Sequence, residues 1–179
     1  MKEAARYLGL KSVDERTAKL IEEAEREAES LTPSYVSACY TLVRLRDGIG
    51  LVGTDIILRG RLAERHFADS EKIIVVLATL GLKSEILMKK SFAVSATKGV
   101  VLDAVYTAKI ESFLDEIEEK LKKEYKNLTS RISCGYGDLA IETQKKLFAD
   151  LHGERIGVGI NDCCMLTPNK SVIALLGAK

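Results

Sequence analysis

The sequence predicts an α+β domain, and three observations carry that prediction. Tyr35 to Arg46 and Lys72 to Ala78 are rich in β-branched, aromatic and aliphatic residues, the composition of strands. Apolar residues three and four apart, above all between Val100 and Lys126, mark helices. The two kinds of segment follow one another in mixed order, with no internal repeat, low-complexity tract or linker between them.

Taken in chain order, Ser12 to Glu29 sets Val13, Ala18, Leu20, Ile21 and Ala24 among dense charges, an amphipathic helix with a narrow apolar stripe. Ser12 reads as its N-cap with Glu15 as capping-box partner, and Leu31-Thr-Pro33 stops it. Tyr35 to Arg46 is a strand, Asp47-Gly48 a turn, and Leu51-Val52 the start of a second strand. Thr54 is placed to cap a helix running to about His66, with Asp55 in its first turn. Lys72 to Ala78 is continuously apolar, as expected of a strand buried on both faces. Ser84 to Phe92 is helical. After the small residues of Ser95 to Gly99, a long helix runs from about Val100 to Lys126. Val101, Val105, Ile110, Phe113, Leu114, Ile117, Leu121 and Tyr125 form one stripe along it, and Glu118/Lys122 and Glu119/Lys123 are i,i+4 pairs in the favourable order. Asn127 to Asp138 is a loop containing Gly135 and Gly137. Ile141 to Leu151 returns to helix, with Gly153 suited to its C-terminal end. Arg155 to Ile160 and Lys170 to Leu176 are late strands. Residues 1–179 read as a single domain, with 1–30 as an N-terminal helical segment.

Composition narrows the function classes. A chain of 179 residues with 46% hydrophobic and 30% charged residues has the makings of a globular core without a disulfide or metal staple. Its 27 basic and 26 acidic side chains balance, which argues against nucleic acid as a partner, because that needs a basic surface to displace counterions. The longest apolar runs, Ile73 to Leu80 and Ser171 to Gly177, fall well short of the roughly 20 residues that span a bilayer. The N-terminus shows no apolar signal region, and Cys39, Cys134, Cys163 and Cys164 lack paired spacing, so reduced thiols and a cytoplasmic location are the expectation.

Three stretches carry candidate chemistry. Gly48-Ile-Gly50-Leu-Val-Gly53 matches Gly-x-Gly-x-x-Gly, the turn that brings backbone close to a dinucleotide pyrophosphate. However, Leu51-Val52 reads as strand and the helix starts only after Gly53, so a hairpin turn is the better reading. Cys134, Cys163, Cys164, His66 and His152 are the soft ligands available. Without paired-ligand spacing they do not suggest a zinc site, and buried inert thiols are expected. No catalytic residue stands out. The third stretch, Arg131-Ile-Ser133-Cys134-Gly135-Tyr136-Gly137-Asp138, follows the long helix. An Arg fork suits a carboxylate, a Tyr ring faces a cation, and glycine lets backbone amides approach a ligand. Residue chemistry leaves two readings open here, a loop for a zwitterionic ligand and an ordinary turn with Arg131 paired to a surface carboxylate, and it favours the turn. Distances add one residue. Glu111 lies fourteen residues before Tyr125, about 21 Å back along the helix, and the six residues to Arg131 reach at most about 20–22 Å. A chain that doubles back therefore brings Arg131 within side-chain reach of Glu111.

Arg131-x-x-x-Gly135-Tyr136 resembles the Arg-x-x-x-Gly-Tyr motif of the activation (reactivation) domain of cobalamin-dependent methionine synthase. Ala78-Thr-Leu-Gly81, Lys122-Lys-Glu-Tyr125 and Asp162-Cys-Cys-Met-Leu-Thr-Pro-Asn-Lys-Ser171 resemble stand-alone members, so the similarity runs from about Tyr35 to the C-terminus. The resemblance implies a mainly antiparallel sheet flanked by helices. It also implies a shallow groove that holds S-adenosylmethionine largely through backbone. Arg131, Ser133, Cys134, Gly135 and Tyr136 would form the binding loop, with Arg131 on the methionyl carboxylate and Tyr136 on the adenosyl or sulfonium side. Glu111 would meet the ammonium or the ribose hydroxyls. The family's N-terminal acid and C-terminal aromatic contact have no recognisable counterpart here.

The implied role is that of a reactivation protein rather than an enzyme in its own right. S-adenosylmethionine supplies the methyl group and a reductase the electron for reductive methylation of oxidised cobalamin. That cobalamin sits on a partner, a methionine synthase or related corrinoid protein served in trans. Two alternatives stand beside it: an interaction module for a corrinoid protein that no longer binds S-adenosylmethionine, and a dinucleotide-binding oxidoreductase built on Gly48 to Gly53.

Overall fold

The computed structural model describes residues 1–179. Seven strands and six helices occur in the order α1 (Lys2–Tyr7), α2 (Glu15–Glu29), β1 (Ser34–Leu45), β2 (Gly48–Leu51), β3 (Ile57–Leu58), α3 (Arg61–His66), β4 (Lys72–Thr79), α4 (Leu82–Val94), α5 (Ala96–Glu124), α6 (Thr143–Asp150), β5 (Gly159–Ile160), β6 (Leu166–Thr167) and β7 (Ser171–Ala178). A five-stranded sheet is ordered β3-β2-β1-β4-β7, and every neighbouring pair is antiparallel. β5 and β6 form a separate small hairpin.

β4 shows why the sheet lies between two layers. Successive side chains of a strand point to opposite faces. Ile74, Val76 and Ala78 join one core with residues of α2 and α5, whereas Ile73, Val75 and Leu77 join a second core that includes Ala63 of α3 and Leu147 of α6. All of β4 after Lys72 is buried, as its unbroken apolar run predicts. In α5 the apolar stripe faces the sheet, with Val101, Val105, Ile110, Leu114, Ile117 and Leu121 all buried.

Where local signals competed, several boundaries differ from expectation. α2 is capped by Asp14, whose carboxylate accepts from Thr17 N–H at 2.7 Å, and not by Ser12. α5 opens earlier than predicted, at Ala96, on a Ser95 cap. The helix expected from Thr54 does not form there. The Thr54 hydroxyl instead closes a tight turn, donating to Leu51 O at 2.8 Å and accepting from Ile56 N–H at 3.1 Å. The chain then runs as β3, and α3 starts only at Arg61. Arg155 to Ile160 is not one strand: Arg155 and Ile156 end a 3₁₀ turn, Gly153–Ile156, and only Gly159–Ile160 is strand. The left-handed residue after α6 is His152, φ 51°, and not Gly153. Residues 1–30 hold two helices, α1 and α2.

Candidate functional site

The loop after α5 is fastened to the outer edge of β7. Thr129 N–H donates to Gly177 O at 2.9 Å, and Ile132 and Leu175 exchange hydrogen bonds of 3.0 and 2.8 Å. Because Ile132 exchanges both backbone hydrogen bonds with Leu175, its neighbours Arg131 and Ser133 turn their amides away from β7. Neither amide has a partner in the chain. The sheet thus ends on a short open edge, lying beside the polar face of α5.

Arg131 projects from that edge onto α5. Its Nη2 donates to Glu111 Oε2 at 2.8 Å, and its Nη1 donates to Asp115 Oδ1 at 2.8 Å and to Glu118 Oε1. The sequence distances therefore hold: the loop doubles back and Arg131 meets Glu111. Burial opposes the charge on Arg131, yet the three carboxylates, Glu118 foremost, outweigh it and hold the guanidinium more firmly protonated than an ordinary arginine. One cation facing three anions leaves the cluster with a formal charge of −2. A guanidinium has five N–H donors, and three hydrogen bonds to α5 leave two free, Nε–H among them.

The turn beyond the edge is built on glycine. Gly135 at φ 89° and Gly137 at φ 54° occupy the left-handed region that L side chains avoid. Gly135 N–H donates to Leu139 O at 2.8 Å and Tyr136 N–H to Ser133 O at 3.2 Å, which closes the turn, and Tyr136 is 58% exposed. Ser133 is half-buried. Cys134 points inward, 5% exposed, and burial pushes its thiol up to about 12. It therefore offers backbone, not sulfur, to this surface. Asp138 anchors the turn by accepting from Arg61 N–H at 2.7 Å and Leu62 N–H at 2.9 Å, the first amides of α3, and these bonds hold its carboxyl below the usual range.

Glu111, Arg131, Ser133, Cys134, Gly135 and Tyr136 thus fall on one contiguous strip. Sequence reasoning missed Asp115 and Glu118. It assigned Glu118 to Lys122 on helical spacing, whereas Lys122 pairs with Glu119 at 2.6 Å and Glu118 turns to Arg131. The signal was present in the acids at i, i+4 and i+7 from Glu111.

The other candidate stretches resolve differently. Gly48 and Gly50 lie within β2, and a Cβ on Gly50 would sit 2.9 Å from Val43 Cγ1. Gly53 follows in a turn at φ 89°, and no helix opens on the motif, so it is a hairpin element. Cys39 and Cys163 are exposed, Cys134 and Cys164 buried. His66 Nε2 lies 2.7 Å from Ser130 O, which steadies the loop, and His152 Nδ1 lies 3.5 Å from Glu154.

No protein-family model matches this sequence, and no curated protein does. Among solved structures, the crystal structure of the MetH reactivation domain bound to AdoHcy is similar, with a TM-score of 0.71 and 16% identity over 97% of this chain and 68% of that one. At that identity the likeness speaks for architecture, and the architecture is plain: this chain has the reactivation-domain fold, an antiparallel sheet flanked by helices.

Proposed function

We propose that the strip from Arg131 to Tyr136 binds S-adenosylmethionine, and that the chain presents this methyl donor to a corrinoid protein. The observation that carries the reading is the open sheet edge, the free Arg131 and Ser133 amides, set between a carboxylate-lined helix and a glycine turn. A ligand main chain adding to that edge gains directional hydrogen bonds, and glycine removes the Cβ that would hold it off. The two free donors of Arg131 suit one carboxylate. S-adenosylmethionine sets an ammonium and a sulfonium against a single carboxylate, so its net positive charge complements the −2 cluster of Arg131, Glu111, Asp115 and Glu118. Tyr136, exposed beside the edge, offers a ring to the sulfonium or the adenine.

When bound, S-adenosylmethionine supplies an electrophilic methyl group, and the residues here hold and orient it without moving a proton. The acceptor would be cobalamin carried by a methionine synthase or related partner, and a separate reductase would supply the electron. On this reading the chain is an accessory protein.

Titration calorimetry with S-adenosylmethionine tests the proposal. Saturable binding is expected, weakened roughly ten- to a hundredfold in Arg131→Ala, the range for hydrogen bonds to a charged group. Circular dichroism checks that the variant stays folded. An affinity unchanged by the substitution, or no binding to the wild-type chain, defeats the reading.

A further inference from the structure

A cavity of about 490 Å³ lies on a different face of α5, between that helix, α1 and α2. Its α5 wall is Val105, Ala108, Lys109, Ser112, Phe113 and Glu116, spaced three and four apart as one helical face. Glu111, Asp115 and Glu118 form the neighbouring face and do not line it. The volume falls within the range of small-molecule sites, about 300–1,000 Å³.

The charges in this cavity divide into two groups. Glu3 is paired with Arg6 and Glu25 with the Met1 amine, so both are satisfied within the chain. Lys109 and Glu116 make neither an ion pair nor a side-chain hydrogen bond to any residue, although Lys109 is half-buried. No polar side-chain atom is buried without a partner, so the Lys109 ammonium reaches solvent from its half-buried stem, and Glu116 is exposed; both charges are free to meet a ligand. Along the helix Phe113 lies between the two charges, Val105 and Ala108 extend the apolar floor beyond Lys109, and the Phe113 ring packs edge-on against Tyr35 with centroids 5.9 Å apart.

We infer that this cavity is a second small-molecule site, distinct from the Arg131 edge, and that it takes an elongated zwitterion. The ligand carboxylate meets Lys109, its apolar chain lies over Phe113, and its amine meets Glu116. Lys109 and Glu116 are two helical turns apart, about 10 Å along the axis. Opposite charges several bonds apart therefore match the site, whereas the charges of an α-amino acid head group share one carbon and satisfy only one end. Ser112 lies between the two and offers a hydroxyl to either end group.

The probe is 6-aminohexanoate, titrated into the full chain by calorimetry beside its two halves, hexanoate and hexylamine. Saturable binding of the zwitterion is expected, at least tenfold tighter than either half. Lys109→Met, which keeps the length of the stem, and Glu116→Gln should each bring the affinity down to that of a half-ligand, with the melting temperature showing both variants folded. Excess S-adenosylmethionine should not displace the probe. Absence of saturable binding, indifference to Lys109→Met, or displacement by S-adenosylmethionine would each overturn the inference.

Discussion

Arg131 shows how one residue belongs to two descriptions. By its contacts it is a structural ion pair, clamped to Glu111, Asp115 and Glu118. Its two remaining donors, Nε–H among them, are those that the carboxylate of the proposed ligand would meet. Cys134, three residues on, has the opposite character: buried, unreactive, and ionised only at high pH. Its folded value of about 12 lies above the 9.0 of a free thiol, so the unfolded chain gives up this proton first as pH rises. The linked contribution to stability is constant below pH 9 and is lost between pH 9 and 12, at up to about 1.4 kcal/mol per pH unit. Cys134→Ala should flatten that part of the alkaline unfolding profile measured with urea at several pH values. An unchanged slope would show that the thiol is not the group responsible.

At the scale of elements, the turn from Gly135 to Asp138 and helix α3 hold each other in place. α3 has only six residues, too few to stand alone, and Asp138 supplies acceptors for its first amides from a distant part of the chain. Gly60 makes this approach possible, because a Cβ there would lie 2.6 Å from Asp138 O. The depressed Asp138 carboxyl contributes stability that is present above its unfolded value of 3.8 and disappears as pH falls through its lower folded value. Asp138→Asn should therefore lower the melting temperature near neutral pH and narrow the gap to wild type in strong acid. A constant gap across that range would mean that the carboxylate charge is not what caps α3.

At the scale of the whole molecule, β4 and β7 hold the two cores together, and β7 packs closely against the residues that follow α3. Gly177 is buried over Phe67 and Ser70, and an added Cβ would lie 2.8 Å from Phe67 Cδ1. Gly177→Ala should cost about 1–3 kcal/mol in denaturant unfolding, the range for overpacking a filled interior. It should also loosen the loop hung on this edge through Thr129, whose hydroxyl accepts from Gly177 N–H at 2.9 Å. The long elements were legible in the sequence. β1 and α5 repeat a local pattern from which burial of one face follows, whereas β4 and β7 are continuous apolar runs from which burial of both faces follows. Short elements such as α3, β3 and β5 were not, because two to six residues carry too little periodicity to outweigh a cap such as Asp138 or a turn such as that at Thr54. The candidate strip divides in the same way. Glu111, Arg131, Gly135 and Tyr136 could be singled out from residue chemistry and chain reach. The recruitment of Asp115 and Glu118, and the two unpaired amides, were settled only when Ile132 paired with Leu175, a contact 43 residues apart in sequence that fixes which way Arg131 points.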